Sequence, residues 1–285
     1  MPPATDDGDE YEIPAERLPE GFRNTVGREV GEPVRPRPAA TVILLREAAS
    51  APQILLLKRN RATGFVPGAY VFPGGRVDTA DGSDAVTARW SHLAPERAAT
   101  RLGLGDADPV PAIAYYTAAV REAFEETGLL LTDSRAWAQR PEGEIAAERD
   151  ALLEGQLGFA ELLERWDLRL DGDRIGYVAH WVTPRVEPRR YDTRFFAALV
   201  DADAEARIDP REMTDAVWLT PSAALDRHEA GNLPMIFPTI RTLEDLAAFS
   251  SAAALLDHYR EAPIPMIMPE IIRTERGVSL RIPGR

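Results

Sequence analysis

Three glutamates, Glu122, Glu125 and Glu126, stand at i, i+3 and i+4 in the run Arg121-Glu122-Ala123-Phe124-Glu125-Glu126-Thr127-Gly128-Leu129. Because a helix turns once every 3.6 residues, that spacing puts all three carboxylates on one side of it. Ile113 to Thr127 reads as that helix, with Pro111 near its start and Gly128 placed to end it. Like charges so arranged oppose helix formation, and something must neutralise them. Either the patch is a solvated face partly paired with Arg121, or it holds a hard divalent cation such as Mg2+, which takes oxygen ligands and works alongside substrate phosphates.

Composition removes other chemistries. None of the 285 residues is cysteine, which excludes a disulfide framework, a thiolate zinc site, an Fe-S cluster and a cysteine nucleophile. His92, His180, His228 and His258 lack the H-x-x-H or H-E-x-x-H spacing of a zinc site. The net charge of -13 disfavours long nucleic acids, whose binding depends on clustered basic residues, but leaves room for a small anion met by local arginines or a metal. Apolar stretches are too short or too interrupted for a membrane span of about 20 residues. The acidic MPPATDDGDEYE start and LRIPGR end carry no secretory or peroxisomal signal, so the expected location is cytoplasmic. Lys58 is the only lysine, which a high-GC coding bias explains more simply than phosphate recognition.

Along the chain, residues 1–38 are rich in Pro, Gly, Asp and Glu and read as an extended or partly ordered arm. Ala40 to Leu45 and Gln53 to Leu57 form an expected hairpin, and Ala69 to Phe72 a further strand that runs into Pro73-Gly74-Gly75. Asp78 to Asp108 is polar and Ala-rich, with a helical or loop character. Helices are expected over Glu144–Leu153 and Phe159–Trp166, and strands over Ile175–Val182, Thr193–Val200 and Ala216–Leu219. Thr220 and Pro221 suit the N-cap and first residue of a helix to about Ala230. Thr239 to Tyr259 should be mostly helical, and Ile271 to Ile282 a hairpin around Gly277. This order predicts an α+β fold, a mixed β-sheet sandwiched between helices.

The strand, the Pro73-Gly74-Gly75 turn and the REAFEETGL helix together resemble the Nudix hydrolase signature, G-x5-E-x7-R-E-U-x-E-E-x-G-U, with U apolar. Its second half is matched position by position, Ala123 and Leu129 taking the apolar places. Its first half is split. Gly75 and Arg121 lie 46 positions apart where the uninterrupted signature has 14, so 32 extra residues stand inside it. The first signature glutamate falls on Ile113, and Asp78, Asp81 or Asp84 would have to replace it. A split signature resembles the branch of the peroxisomal coenzyme A diphosphatase, as do LLLKRN, GAYVFPGGRVD, His180 to Pro184, Pro188 to Phe196 and Val217 to Ser222.

The resemblance implies a Nudix domain over 39–245 with an insertion at 79–112, preceded by the 1–38 arm and followed by a C-terminal helical extension over 246–285. It implies that Glu122, Glu125 and Glu126, with the Gly75 carbonyl, hold Mg2+ or Mn2+, and that Glu125, Glu126 and Arg121 serve catalysis on a diphosphate. Glu126, Glu187, Glu205 and Glu212 are the candidates for the general base. Arg59, Arg61, Arg189, Arg190 and Arg194, with Tyr191 to stack on a base, are candidates for substrate binding, against the alternative that they are ordinary strand-end charges. The implied partner is a small nucleotide-containing substrate, coenzyme A or acyl-CoA first, with ADP-ribose, NADH or another dinucleotide as the enzymic alternative. A silent nucleotide-sensing domain is the alternative of another class. A homodimer is implied as the assembly, since Nudix enzymes are often dimers.

Overall fold

The computed structural model describes residues 10–14, 32–60, 67–105, 107–132, 137, 139–275 and 277–283. In chain order its strands are β1 (Glu10–Pro14), β2 (Arg37–Arg46), β3 (Gln53–Arg59), β4 (Tyr70–Val71), β5 (Gly74–Arg76), β6 (Trp90–Ser91), β7 (Leu170–Asp171), β8 (Ile175–Val182), β9 (Tyr191–Leu199), β10 (Met213–Leu219), β11 (Met266–Ile267), β12 (Glu270–Arg273) and β13 (Gly277–Arg281). The helices are α1 (Asp84–Thr87), α2 (Pro95–Leu102), α3 (Ala112–Thr127), α4 (Glu142–Leu153), α5 (Phe159–Arg165), α6 (Pro221–Glu229), α7 (Phe237–Leu246) and α8 (Ala252–Glu261).

Two compact units are present. The larger comprises residues 38–179 and 194–264, the smaller residues 1–37, 180–193 and 265–285. In the larger unit the strands run in the order β10-β3-β2-β9-β8, with β4 paired to β3 and β5 to β2. β10 and β2 both lie antiparallel to β3. The apolar run Ile54 to Leu57 is fully buried, as befits a central strand covered on both faces.

Helix α3 packs into the core of this unit and determines where the acidic residues lie. Its Tyr116 ring approaches Phe196 of β9 at 4.5 Å between centroids, and Phe124 is wholly buried. Gly128 ends it in the left-handed conformation (φ 72°), a region glycine enters without steric cost, and donates its N–H to the Phe124 carbonyl. Thr220 caps α6 by accepting from Ala223 N. The segment 79–112 folds into a 3-10 turn at Thr79–Gly82, α1, β6 and α2. It docks on α3 through Trp90, whose indole N–H donates to Thr117 Oγ1 at 3.1 Å.

In the smaller unit, β12 and β13 form the expected terminal hairpin, and β1 adds antiparallel to the other side of β13, from Glu10 opposite Arg281 to Pro14 opposite Gly277. β11 pairs parallel with the His180–Trp181 end of β8. Two expectations change. Part of the N-terminal arm is a strand, and Thr239 to Tyr259 is two helices, because Ser251 leaves the helix and accepts from Ala254 N as the cap of α8. Among the described residues no helix is long and apolar enough to cross a membrane.

Candidate active site

The glycine turn is built by contact. β5 runs antiparallel to β2, with Gly74 opposite Thr41 and Gly75 opposite Ala40. A Cβ on Gly74 would lie 2.6 Å from the Ala40 carbonyl oxygen, and one on Gly75 would lie 2.3 Å from Glu122 Oε1. Both distances are below any tolerable van der Waals contact, so the turn backbone presses directly against a carboxylate of α3. Gly74 N also donates to Glu126 Oε2 at 3.1 Å.

Arg121 lies behind this surface. Its Nε and Nη2 donate to Asp81 Oδ1 and Oδ2 at 2.9 and 3.1 Å, Nη2 also to the Arg76 carbonyl at 2.9 Å, and Nη1 to Glu122 Oε1 and Glu125 Oε2 at 2.8 and 3.0 Å. Asp81 is 2 % exposed and accepts from Asp78 N as well. It is therefore the residue of the insertion that holds the signature arginine. The carboxylate of Asp78 stands 3.9 Å from the same guanidinium. Ile113, where the unbroken signature has its glutamate, is buried in the apolar core, which leaves no place there for a charge. Burial pulls Arg121 down, but the Asp81 hydrogen bond and the charges of Glu122, Asp81 and Glu125 outweigh it and keep it protonated.

The carboxyls feel the opposite balance. Burial pushes Glu122 up, Arg121 opposes it, and the net result is about 7. Glu125 is raised for the same reason, again against Arg121. Glu126 is raised well above the carboxylate range by burial first and the charge of Glu122 second, with the Gly74 N–H and Arg59 opposing and the Glu212 charge adding least. One guanidinium does not balance three largely buried carboxylates. The donor set is all oxygen, of one sign, and one member is packed where only glycine leaves room, so these residues fit a hard divalent cation.

Gly75→Ala forces the Glu122 carboxylate aside and should weaken divalent-ion activation more than tenfold, read as the Mg2+ concentration for half-maximal turnover. A carboxyl raised from 4.5 to about 7 makes the folded, metal-free protein progressively less stable as pH rises through that window, because the folded state holds the proton longer than the unfolded one. Glu122→Gln should therefore gain Tm over the wild type in EDTA at pH 8 and show no such gain at pH 4.5.

A residue that the sequence pattern did not reveal braces the helix end. Arg149 of α4, 9 % exposed, donates from Nε to the Glu125 carbonyl and from Nη1 to the Arg207 carbonyl, both at 2.7 Å. It stands 24 positions from Glu125 in a helix with no motif of its own, so no spacing rule marks it. A separate exposed cluster joins His92 Nδ1 to Asp171 Oδ1 at 3.1 Å and to Asp173 Oδ2 at 3.6 Å.

The family model of the NUDT19 Nudix domain matches residues 36–246, which spans both halves of the split signature. The chain belongs to the Nudix hydrolase family. Similar proteins from human, Gallus gallus and Xenopus laevis are named acyl-coenzyme A diphosphatase NUDT19. The human protein is 29% identical over 88% of this chain and 80% of its own length, and the Gallus gallus protein 30% identical over 77% and 72%. A crystal structure of a NUDIX hydrolase from Alicyclobacillus acidocaldarius superposes with a TM-score of 0.64 at 28% identity, covering 78% of this chain and 96% of that one. Nudix hydrolases generally use divalent metals.

The remaining candidate residues of this Nudix hydrolase fall in different places. Arg59 ends β3, its charge reaches Glu126, and its buried Nε has no partner among the described residues. Arg61 lies outside the described residues. Arg194 is buried and donates to the Leu102 carbonyl and to Tyr177 Oη, both at 3.0 Å. Arg189, Arg190 and Tyr191 belong to the smaller unit. There Arg190 donates to the carbonyls of Thr183 and Val34. Of the base candidates, Glu187 belongs to the smaller unit, where burial raises it, and Glu205 is exposed and pairs with Arg46 at 3.3 Å. Glu212 is the one whose charge reaches Glu126, and its carbonyl accepts from Asn60 N at 2.8 Å.

Proposed function

We propose that this Nudix hydrolase cleaves the diphosphate of coenzyme A or acyl-CoA, releasing 3',5'-ADP and phosphopantetheine or its acyl form. The observation that carries this reading is the match through the split signature to relatives named acyl-coenzyme A diphosphatase over most of both chains. The intact acidic helix and its bound arginine support it. Glu122, Glu125 and Glu126, with the Gly75 carbonyl, would hold Mg2+ or Mn2+, which when bound supplies charge neutralisation at the diphosphate and a lowered pKa for water.

The protein's own groups do the rest. A water oxygen adds to one phosphorus, the bridging P–O bond breaks, and a carboxylate takes the proton that the water gives up. Glu212 is our choice for that base, because it is exposed to solvent and is the later-loop carboxylate whose charge reaches Glu126. Arg59, with one N–H unengaged among the described residues, would donate to a diphosphate oxygen. Arg121 acts on the reaction through the two glutamates that it holds, as a positioning residue. Arg194, engaged on the protein interior, is assigned to packing, and Arg190 to its carbonyl contacts. Cytoplasmic location, a homodimer and the division into arm, core and extension belong to the same proposal.

Glu212→Gln should lower kcat by roughly 10²- to 10⁴-fold, the usual worth of a general base, with KM little changed. For the substrate, kcat/KM is to be compared across coenzyme A, acyl-CoA, ADP-ribose, NADH, diadenosine polyphosphates and deoxynucleoside triphosphates with Mg2+ or Mn2+. The highest value should fall on coenzyme A or an acyl-CoA. Preference for ADP-ribose or NADH would reassign the substrate, and inactivity on all would return the sensor reading.

A further inference from the structure

Away from the glutamates, the insertion, the strand β8 and the C-terminal helices of the larger unit enclose a second recess. A shallow cavity of about 40 Å3, open to solvent, is lined by Arg97 and Arg101 of α2, Tyr116 of α3, Gly176 and Tyr177 of β8, and Arg260 of α8, among others. Tyr116 precedes Glu122 by six residues, which is about 9 Å along α3 and about 240° around it, so it faces another side of the helix than the acidic group.

The base of the recess is polar. Tyr116 is 3 % exposed, its hydroxyl feels the charges of Arg101 and Arg97, and among the described residues no group hydrogen-bonds it. Burial raises its pKa, so it remains a neutral O–H donor at any working pH. Its oxygen is not among the buried polar atoms cut off from solvent, so the hydroxyl opens on the recess, where a ligand acceptor can take its hydrogen bond in place of water.

The walls are cationic. Arg101 anchors one Nη2 on the Tyr259 and Ala262 carbonyls at 2.7 and 3.2 Å, which fixes its guanidinium at the end of α8. Arg97 and Arg260 are exposed at the mouth. Arg97 makes a long contact of 3.5 Å to the His92 carbonyl, and Arg260 stands 3.5 Å from Asp257 and 4.0 Å from Asp173. Asp173 is the one acidic lining residue, and it is shared with His92. Three guanidiniums against the carboxylates of Asp173 and Asp257 still leave an excess of positive charge in a chain whose overall balance is strongly negative. Planar guanidiniums with an O–H donor between them suit an anion with several acceptor oxygens.

We propose that this recess binds a phosphate monoester dianion, held by Arg97, Arg101 and Arg260 with the Tyr116 hydroxyl donating from below. The insertion inside the Nudix signature thereby gains a role, since α2 supplies two of the three arginines.

The test is a titration of the full-length protein with inorganic phosphate in EDTA at constant ionic strength, followed by thermal shift and calorimetry. Wild-type protein should show saturable binding, Glu125→Gln should keep it, and Arg97→Ala/Arg260→Ala, which alters only exposed side chains, should weaken it at least tenfold. Tyr116→Phe should weaken it as well. Absence of saturable binding, or equal binding by the double variant, overturns the proposal. These arms use neither metal nor turnover, so they stand apart from the proposed activity. The source of the phosphate is then read kinetically, in an arm that does rest on that activity. A tenfold rise of KM in the double variant for coenzyme A but not for dephospho-coenzyme A assigns the substrate's own monoester, whereas unchanged KM for both with binding intact assigns free phosphate.

Discussion

Glu125→Gln and Glu126→Gln should each lower turnover by about 10³-fold or more, since several kcal/mol of transition-state charge stabilisation depend on the group that these carboxylates would hold. The change is isosteric. An amide in place of the Glu126 carboxylate can still accept the Gly74 N–H through its oxygen, and a neutral amide at either position removes the cost of burying a charge, which is the main cause that raises each of these carboxyls. Activity and stability should therefore part company. Circular dichroism and Tm in EDTA should match or exceed the wild type while kcat with Mg2+ collapses. Turnover unchanged in both variants would remove the acidic helix from the chemistry.

The second large effect is on stability. Asp81→Ala leaves the Arg121 guanidinium buried with two of its donors deprived of their carboxylate, a change that costs about 3–5 kcal/mol when one member of a buried ion pair is deleted. For a chain of this size that is a Tm loss on the order of 10 °C. Turnover should fall too, because Arg121 then no longer fixes Glu122 and Glu125. Asp78→Ala makes the contrast. Its carboxylate is well exposed and 3.9 Å from the arginine, so its loss should cost under about 1 kcal/mol, the range of surface pairs. Equal Tm for the two variants would contradict the assignment of Asp81.

Helix α3 is legible in the sequence because three signals agree there: a proline before it, buried apolar residues through it and a glycine forced into positive φ after it. The acidic face follows from its spacing alone. The β12–β13 hairpin and the cap of α6 are legible for the same reason, since their turn and cap residues are local. What the sequence leaves open depends on distant contacts. Asp78, Asp81 and Asp84 are chemically equal in the chain, and only the 3-10 turn at Thr79–Gly82 decides which one faces Arg121. Arg149 carries no local mark, because its partners are carbonyls of residues far along the chain. The partner of β1 lies at the opposite end of the sequence, in β13. The break between α7 and α8 does have a signal, the serine pair at 250–251, whose side chains compete with helical hydrogen bonds.

The arginines show the same limit from the other side. Arg59, Arg190 and Arg194 look alike as strand-end cations in the sequence. In the fold Arg194 donates to an interior carbonyl and a tyrosine, while Arg59 keeps a buried N–H, unengaged among the described residues, whose guanidinium charge reaches Glu126. Composition cannot separate these uses, because they differ only in what surrounds each guanidinium.

Chromatography of coenzyme A incubated with the purified protein, in Mg2+ and in EDTA, decides whether the acidic face of α3, completed by Gly75 and held by Asp81 through Arg121, hydrolyses that diphosphate with a divalent ion. The expected result is 3',5'-ADP and phosphopantetheine in equal amounts with Mg2+ and neither product in EDTA; intact coenzyme A in both samples, or equal cleavage in both, would contradict it.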